Sequence, residues 1–377
     1  MKYKKILLLN PWVGEVFPPP GLGYLQAALK YVFPNIDIQA CDIDSPKIDE
    51  TYDVVCVSFH SFSVKYATMI RDKFKGSILV CGGHHPSSLP DQMYQIGYDH
   101  VIIGEGENQL VEFIGDIKSP FEDVNQYPYP DYTGFTGNWS MGYPIISSRG
   151  CPFTCDFCAS ANFWKRKWYP RSPKNIIDEI LHMIKNFSMK TWMFEDDNFT
   201  LDQNRTIEIC ERLVKDVFPL IGKPSWQCAS RAENLTNLEL CAHLKKAGCD
   251  KIWLGIESLS QDSLDRCKKN TTVQKMLHGI KNAWDCGIPT MSQFIIGMPG
   301  DSLSNIQETV KNINGSFIKH RGCNICWVLP GTKVYTKSKE YGFSDDSYLI
   351  DGAPFYTCEQ SIDTLNKWVD MVNLAKR

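Results

Sequence analysis

The stretch Cys151-Pro-Phe-Thr-Cys155-Asp-Phe-Cys158 places three cysteines within eight residues, at spacings of four and three. A strand-like run, Pro144-Ile-Ile-Ser-Ser148, leads into it. Thiolates are the usual protein ligands of iron–sulfur clusters, whereas a zinc site would normally need a fourth protein ligand. No His or Cys follows within the next ten residues. Three cysteines leave one iron of a four-iron cluster without a protein ligand, so the stretch predicts a [4Fe–4S] cluster with one open site.

Length and composition indicate a globular protein of two domains. The chain has 377 residues, of which 43% are hydrophobic and 22% are charged, and its net charge is −3. No long run of one charge sign is present, which disfavours a dedicated nucleic-acid surface. No apolar stretch approaches the length of a membrane span. Fifteen scattered cysteines without a secretion signal favour reduced thiols in the cytoplasm.

Residues 1–118 alternate predicted strands with predicted helices, which indicates a doubly wound, Rossmann-like parallel sheet. Ligands bind such sheets beyond the carboxyl ends of the strands. Glycine at these ends lets the backbone approach a ligand closely. The predicted strands cover 6–9, 36–41, 53–58, 78–81 and 100–103. The candidate binding residues at their ends are Ser58, His60, Gly82, Gly83, His85, Gly104 and Glu105.

Residues 119–143 are predicted to be a linker, because prolines interrupt an aromatic and polar stretch. Its aromatic side chains are expected to pack between domains rather than to line a substrate pocket. They are Tyr127, Tyr129, Tyr132, Phe135 and Trp139.

The alternation resumes over residues 144–336, where six β/α units predict a partial (β/α)6 barrel of the TIM type. The chemistry of such barrels gathers at the carboxyl ends of the strands. The predicted strands cover 144–148, 191–194, 225–229, 251–256, 290–296 and 323–328. The tail, residues 337–377, is predicted to hold one amphipathic helix near Ser361–Ala375.

The cysteine stretch, with Phe157 before its third cysteine, resembles the signature of the radical S-adenosylmethionine (SAM) enzymes. Phe194-Glu-Asp-Asp-Asn-Phe199, Leu254-Gly-Ile-Glu-Ser258 and Ile296-Gly-Met-Pro-Gly300 resemble later strands of the subgroup with an N-terminal cobalamin-binding domain. Val80-Cys-Gly-Gly-His-His-Pro86 falls in that subgroup's order as well. The resemblance covers about residues 4–335. It implies a [4Fe–4S] cluster, SAM, cobalamin and an electron donor such as flavodoxin or ferredoxin.

The strand ends of the barrel supply groups that suit SAM. Glu195 and Asp196 place carboxylates where its amino group is expected, and Arg231 presents a planar fork for its carboxylate. Glu257 suits the ribose hydroxyls. The Gly297–Gly300 turn, with Pro299, lets backbone run along the adenine. The solvated-loop and surface-ion-pair alternatives stay open for these residues.

The resemblance departs from the mutase type of cobalamin protein at one point. The sequence has no Asp-x-His-x-x-Gly run, whose histidine ligates cobalt in that type. His60, His84 and His85 are the histidines at these strand ends, and a structural role for His85 is an equal alternative. Two alternatives therefore stay open for this domain: binding of cobalamin without that motif, and packing alone.

The predicted function is reductive cleavage of SAM to a 5′-deoxyadenosyl radical, followed by cobalamin-dependent methylation of an unactivated carbon. The substrate is expected to be a small molecule or a modification target. The main alternative is a non-methylating radical SAM reaction, namely oxidative cyclisation, dehydrogenation or epimerisation. A methylthiotransferase, suggested by Cys41, Cys56 and Cys81, and a non-catalytic cofactor-binding protein are the remaining alternatives.

Overall fold

The computed structural model describes residues 2–12, 16–46, 48, 51–136 and 139–375. No helix within these ranges is long and apolar enough to cross a membrane. The strands are β1 (Lys5–Asn10), β2 (Asp37–Asp42), β3 (Val54–Ser58), β4 (Ile78–Gly82), β5 (His100–Val101), β6 (Tyr143–Ile145), β7 (Ser148–Arg149), β8 (Tyr169–Pro170), β9 (Thr191–Phe194), β10 (Ser225–Arg231), β11 (Cys249–Glu257), β12 (Thr290–Ile296) and β13 (His320–Ile325).

The helices alternate with these strands along the chain. They are α1 (Pro20–Val32), α2 (Ala67–Lys73), α3 (His84–Ser88), α4 (Pro90–Ile96), α5 (Glu107–Gly115), α6 (Ser160–Phe163), α7 (Pro173–Phe187), α8 (Gln203–Arg212), α9 (Phe218–Ile221), α10 (Leu238–Lys246), α11 (Gln261–Arg266), α12 (Val273–Asp285), α13 (Leu303–Asn314), α14 (Lys333–Glu340), α15 (Ser347–Asp351) and α16 (Ile362–Asn373). A π-helical segment, Leu213–Val217, joins α8 to α9.

The chain divides into two compact units. The N-terminal unit comprises Met1–Pro144 and Ser344–Pro354, and the barrel unit comprises Ile145–Phe343 and Phe355–Arg377. The C-terminal residues Ser344–Pro354, which the sequence placed in a tail, therefore belong to the N-terminal unit.

The N-terminal unit contains a parallel five-stranded sheet in the order β2-β1-β3-β4-β5. Residues 6–9 of β1 are fully buried, as expected of a central strand covered on both faces. The chain runs from β1 to β2 on one side and then crosses to β3, which pairs with β1 on the other side. The gap between the carboxyl ends of β1 and β3 is thus a topological switch point, where such sheets bind ligands.

The stretch predicted as a linker packs along the N-terminal unit. Tyr132 is 2% exposed, and its ring lies so close to Gly23 of α1 that a side chain at Gly23 would strike it. Gln26 donates to the carbonyl of Thr133 at 3.0 Å, and Lys30 pairs with Asp131 at 2.7 Å. These contacts make the stretch part of the packed surface of the N-terminal unit, and the expected packing between domains stays a prediction.

The barrel unit contains a six-stranded sheet in the order β13-β12-β11-β10-β9-β6, with β9 to β13 parallel. Trp226, Leu254 and Phe294 lie on the buried face of successive strands and are fully excluded from solvent. The predicted fold class, α/β with a parallel sheet in each half, is confirmed.

Helix starts in the barrel unit are fixed by hydroxyl caps. Ser172, Thr272 and Ser302 each accept the backbone N–H three residues later, at the starts of α7, α12 and α13. Such a cap satisfies one of the amides that the first turn leaves unpaired and stabilises a helix by about 1 kcal/mol. The caps set where each helix returns toward the next strand.

The last strand differs from its prediction by about three residues. The apolar run 323–328 predicts a strand there, yet β13 spans His320–Ile325. Cys326 and Val328 instead pack in a buried cluster with Cys267, Met298 and Tyr356. The run is apolar because it is a buried loop, and burial alone does not distinguish such a loop from a strand.

Candidate active site

The three-cysteine stretch lies in a loop that two short strands close. β7 pairs antiparallel with β8, with Arg149 opposite Tyr169. Gly150 has a φ of 81°, and a side chain there would strike the carbonyl of Lys167 and the ring of Trp164. Glycine is therefore required where the loop begins. The loop that carries the thiols is anchored at both ends.

The three thiols are each half-buried, and the N–H of Cys158 donates to the carbonyl of Cys155 at 3.1 Å. Burial raises the pKa of Cys151 and raises that of Cys158 to about 12, so ionisation there needs a nearby positive charge. Within the described ranges, no three His, Cys, Asp or Glu side chains are close enough to bind a single metal ion. An iron–sulfur cluster instead takes one thiolate per iron, with the ligands apart, and this donor set of three thiols fits such a cluster.

Asp196 lies at the end of β9 and ties it to the segment before the cysteine loop. Its carboxylate accepts the Ser147 N–H at 2.7 Å and the hydroxyls of Ser147 and Ser148 at 2.6 and 2.5 Å. Asp196 is 3% exposed, and burial raises the pKa of its carboxyl group. Asp196 thus positions the loop entry through protein contacts.

Glu195 and Asp197 flank Asp196 and differ in their surroundings. Glu195 is half-buried, and its N–H donates to the carbonyl of Ile145 at 3.0 Å. Asp197 accepts the Ser160 hydroxyl at 2.6 Å, which holds the start of α6 beside the cysteine loop.

Arg231, at the end of β10, reaches the cysteine loop directly. Its Nη1 lies 3.6 Å from Sγ of Cys155, and its guanidinium carbon lies 4.0 Å from the centre of the Phe153 ring. Nε pairs with Glu233 at 2.5 Å, and Nη2 donates to the carbonyl of Lys269. Each side-chain nitrogen has a protein partner, so Arg231 holds the loop that carries Cys155.

Glu257 forms a buried ion pair with Lys269, at 3.2 Å between Oε1 and Nζ. The two side chains are 11% and 3% exposed. Glu257 has a φ of 64°, and the pairing of β11 with β12 shifts between Gly255 and Glu257. This bulge re-aims the Glu257 side chain, as bulges beside active sites commonly do. Lys269 Nζ also lies 6.0 Å from the Phe157 ring centre.

The turn after β12 approaches the C-terminal helix. Gly297 has a φ of 77°, and a side chain there would strike Leu365 of α16. Pro299 and Phe157 line one cavity of about 310 Å³, together with Met298 and Cys267. The structure therefore brings two of the predicted SAM-contacting residues, Phe157 and Pro299, to one space.

A row of half-buried polar residues on the barrel strands was missed in the sequence. Trp253 donates its indole N–H to Gln227 at 2.8 Å, across neighbouring strands. Gln293 lies one strand further and covers Gly322 so closely that a side chain at Gly322 would strike it. Strand alternation could have identified these residues, since they face away from the buried Trp226, Leu254 and Phe294. No spacing signal pointed to Lys269 or Phe153, whose contacts with Arg231 are tertiary. Glu233, two residues after Arg231, pairs with it locally and was also missed.

The switch point of the N-terminal sheet is flanked by Trp12 and His60, whose rings meet edge to face at 5.2 Å. His60 Nδ1 accepts the Phe62 N–H at 3.2 Å, so the proton of the neutral ring lies on Nε2. Burial lowers the pKa of His60. An imidazole that carries its proton on Nε2 and faces a donor at Nδ1 is not arranged to ligate a metal.

His85 is fully buried inside the N-terminal unit. Its Nε2 donates to Gln92 at 2.8 Å, its Nδ1 lies 3.2 Å from the Ser61 hydroxyl, and its ring meets Tyr348 of α15 at 5.0 Å. Gln92 in turn donates to the carbonyl of Asp345 at 2.9 Å. Burial lowers the pKa of His85 to about 4. His85 therefore anchors the segment Ser344–Pro354, which favours the structural interpretation of this histidine.

The glycines at the strand ends of this unit differ in the space around their backbone. Gly83 has a φ of 99°, and a side chain there would strike the carbonyl of Phe59 and approach the Ser58 hydroxyl. Gly104 has a φ of 83°, with no atom within 4 Å of an added Cβ. Gly82 ends β4, and Glu105 begins the turn into α5. The open backbone at Gly104, beyond the carboxyl end of β5, fits the approach of a large, flat cofactor such as cobalamin.

The cysteines of the N-terminal sheet do not converge. Cys56 pairs in register with Val80, whereas Cys81 pairs with Val57, so the two thiols point to opposite faces of the sheet. Cys41 lies on the same face as Cys81, with the two strands β1 and β3 between them. All three are buried within strands. This arrangement does not support the second cluster that a methylthiotransferase would hold here.

Comparison with known proteins finds a separate family match for each of the two units. Residues 145–313 match the Radical SAM superfamily, and residues 10–114 match the B12 binding domain. An uncharacterized methyltransferase from Pyrococcus horikoshii is 26% identical over 410 residues, covering 95% of this chain and 87% of the relative. An anaerobic magnesium-protoporphyrin IX monomethyl ester cyclase from Cereibacter sphaeroides is 32% identical over 348 residues, covering 78% of this chain and 56% of the cyclase.

A solved structure shares the whole architecture. The radical SAM methyltransferase TsrM from Kitasatospora setae, with cobalamin and a [4Fe–4S] cluster bound, has a TM-score of 0.73 at 16% identity. The match covers 90% of this chain and 75% of TsrM. At this identity the likeness concerns the fold.

The chain belongs to the radical SAM superfamily, in the group that carries an N-terminal B12-binding domain. It is an enzyme of the cobalamin-dependent radical SAM methyltransferase family, which includes cyclases, and its cofactors are a [4Fe–4S] cluster, SAM and cobalamin. The predicted family, enzyme class and cofactors are confirmed.

Proposed function

We propose that this enzyme methylates a carbon atom of a small molecule or modification target, with Cys151, Cys155 and Cys158 as the cluster ligands. The observation that carries the proposal is the anchored loop of three half-buried thiols, which the Arg231 guanidinium reaches from β10. When bound, the cluster supplies the electron for SAM cleavage, and cobalamin supplies methyl-transfer chemistry. The chain's own residues bind, orient and shield the reactants.

The roles of the strand-end residues follow from their contacts. Arg231 and Asp196 are proposed to hold the cysteine loop, since their polar atoms bond to protein groups. Glu195, Glu257 and the turn with Gly297 and Pro299 are proposed to contact SAM. The half-buried Gln227, Trp253 and Gln293 are proposed to face the substrate, because they present hydrogen-bonding groups on the side of the sheet opposite its buried face.

In the N-terminal unit, Ser58, Gly82, Gly104 and Glu105 are proposed to line the cobalamin edge. Gly83 is proposed to set the close approach of two strand ends, and neither His60 nor His85 is proposed as a cobalt ligand. An external one-electron carrier such as flavodoxin or ferredoxin is proposed as the reductant. Fifteen unpaired cysteines within one chain support a cytoplasmic location.

Cyclisation is the second candidate function, favoured by the 32% identity to the cyclase over 78% of this chain. That match leaves almost half of the cyclase uncovered, whereas the methyltransferase match covers 87% of its relative. The greater coverage of the methyltransferase relative supports methylation over cyclisation.

Anaerobic reconstitution tests the proposal. The protein is purified with iron, sulfide and hydroxocobalamin, reduced, and assayed for 5′-deoxyadenosine and S-adenosylhomocysteine from SAM. Cobalamin that co-elutes with the protein and SAM cleavage that is lost in Cys155→Ala are the expected results. Failure to retain cobalamin overturns methyl transfer, and unchanged cleavage in Cys155→Ala overturns the assigned cluster ligands.

A further inference from the structure

The cysteine loop has a second accessible side, next to α6. A cavity of about 530 Å³ is lined by Cys155 and Cys158 and by the rim of three cations, Lys165, Arg166 and Lys333. Among the residues described as lining it, none is a strand-end residue of the proposed SAM site. The cavity shares Asp156, Lys333 and Thr336 with the cavity of Phe157 and Pro299, but it reaches Cys155 and Cys158 from the side of α6.

The three cations, here called the basic rim, carry an uncompensated charge. Lys165, Arg166 and Lys333 are all exposed, and within the described part of the chain none of them forms an ion pair. Asp156 is the one acidic residue among the described residues lining the cavity, and it lies 3.6 Å from Lys268 outside the rim. The whole chain has a net charge of −3, so the positive potential at this rim is local.

The basic rim is held rigidly to the cysteine loop. Lys165 and Arg166 have φ values of 52° and 58°, a left-handed conformation that is unusual for residues with side chains. Their N–H groups donate to the carbonyls of Asn162 and Ala161 at 3.1 and 2.9 Å. The N–H of Lys333, the first residue of α14, donates to the carbonyl of Asp156 at 2.9 Å. The backbone of all three residues is therefore held beside the cysteine loop.

We propose that the basic rim is the docking site of an acidic one-electron carrier protein that reduces the cluster. The inference rests on the proposed function, since it presumes a cluster on these cysteines. One electron leaves the reduced carrier and enters the cluster, and no covalent bond is made or broken. A substrate is excluded as the occupant, because it must lie beside the SAM carbon, on the strand-end side. Opposite charges also raise the rate of encounter between proteins and orient them.

The test compares two triple variants that change the net charge equally. Lys165→Glu/Arg166→Glu/Lys333→Glu removes the basic rim, and Lys190→Glu/Lys215→Glu/Lys311→Glu is the matched control on exposed lysines of the barrel unit. Binding of oxidised flavodoxin, an acidic carrier, is measured by calorimetry at low and high salt. SAM cleavage is measured separately with titanium(III) citrate, a small reductant that needs no docking site.

The rim variant is expected to bind flavodoxin at least tenfold more weakly than wild type, while the control changes by less than twofold. Wild-type binding is expected to weaken with salt, since exposed charges are screened. Cleavage with titanium(III) citrate is expected to be equal in all three proteins. Equal flavodoxin binding by wild type and rim variant overturns the proposal, and so does an equal loss in the control.

Two further outcomes separate the alternatives. If inorganic pyrophosphate binds wild type and not the rim variant while flavodoxin binding is unchanged, the rim is an anion site and the docking proposal is wrong. If wild type fails to cleave SAM with titanium(III) citrate, the proposed function fails, whatever the flavodoxin result.

Discussion

Arg231 Nη1 lies 3.6 Å from Sγ of Cys155, and Nε of the same side chain pairs with Glu233 at 2.5 Å. The two charged side chains are 7% and 15% exposed. Arg231 therefore links the end of β10 to the cysteine loop through a nearly buried ion pair. The fork that was predicted to bind the SAM carboxylate contacts Cys155, Glu233 and the carbonyl of Lys269, and its role toward SAM stays a prediction.

Replacing Arg231 by methionine is expected to destabilise the protein by about 3 kcal/mol, because the carboxylate of Glu233 loses its buried partner. The double variant Arg231→Met/Glu233→Gln removes both charges and is expected to recover most of this loss. Urea unfolding of the cluster-free protein measures both values. A single variant as stable as wild type would show that Arg231 does not compensate Glu233.

Gly150 is expected to tolerate no side chain. Gly150→Ala must adopt a φ of 81° and also strike the carbonyl of Lys167, so we expect a loss of more than about 2 kcal/mol and a low iron content. Gly222→Ala is the matched control, since Gly222 has a φ of 75° and no atom within 4 Å of an added Cβ. The control has the backbone strain without the clash, about 1–3 kcal/mol, so Gly150→Ala is expected to lose more stability than the control does. Equal losses in the two variants, measured by urea unfolding, would contradict the clash.

Periodicity and strand-end chemistry identify the fold and the centre of the site in the sequence. Buried strands such as residues 6–9 and 290–296 are apolar or alternate, and each ends in a residue type that breaks the pattern. The cysteine spacing points to the cluster because its ligands are close in sequence. The sequence thus reveals strands, which have a fixed period, and sites whose residues lie close together along the chain.

The groups that each candidate side chain contacts are known only from the tertiary structure. Arg231, Asp196 and His85 have the side chains expected of ligand-binding residues, yet each meets protein groups far away in sequence, such as Cys155, Ser147 and Tyr348. Residues 344–354 join the N-terminal unit although almost 200 residues of the barrel unit precede them. No local pattern encodes such contacts, because loop closure between distant residues leaves no periodic signal.

Asp196 distinguishes a positioning role from a role in binding SAM. Asp196→Ala leaves the Ser147 N–H and two buried hydroxyls unpaired, so we expect a loss of about 3 kcal/mol and of most of the iron. Asp196→Asn keeps an acceptor for the N–H, and the hydroxyls can rotate to accept its amide, so iron content and SAM affinity are expected to stay within about twofold to threefold.

Equilibrium dialysis with SAM provides the decisive measurement for Asp196. If the carboxylate charge binds the SAM amino group, the asparagine variant loses SAM affinity as fully as the alanine variant does. In that case the positioning role is wrong.

His85 is expected to make the N-terminal unit acid-sensitive. Burial lowers its pKa to about 4 from an ordinary 6.5, so the folded state disfavours the proton that the unfolded chain binds. Its contribution is present above pH 6.5 and is lost as the pH falls toward 4, by roughly 3 kcal/mol at about 1.4 kcal/mol for each pH unit. Asp345, which favours the proton, and His60, which opposes it, also act on this ring.

The His85→Gln variant isolates this effect in urea unfolding of the cluster-free protein at pH 7.5, 6.0 and 4.5. The variant is expected to be less stable than wild type at pH 7.5, because it loses the ring packed against Tyr348. It is also expected to lose less stability on acidification, since it has no imidazole to protonate, so the two curves converge toward pH 4.5. His320→Gln, which removes an exposed histidine of β13, is the control and is expected to follow wild type. Parallel curves for wild type and His85→Gln would show that the His85 ring takes up a proton as readily in the folded protein as in the unfolded chain.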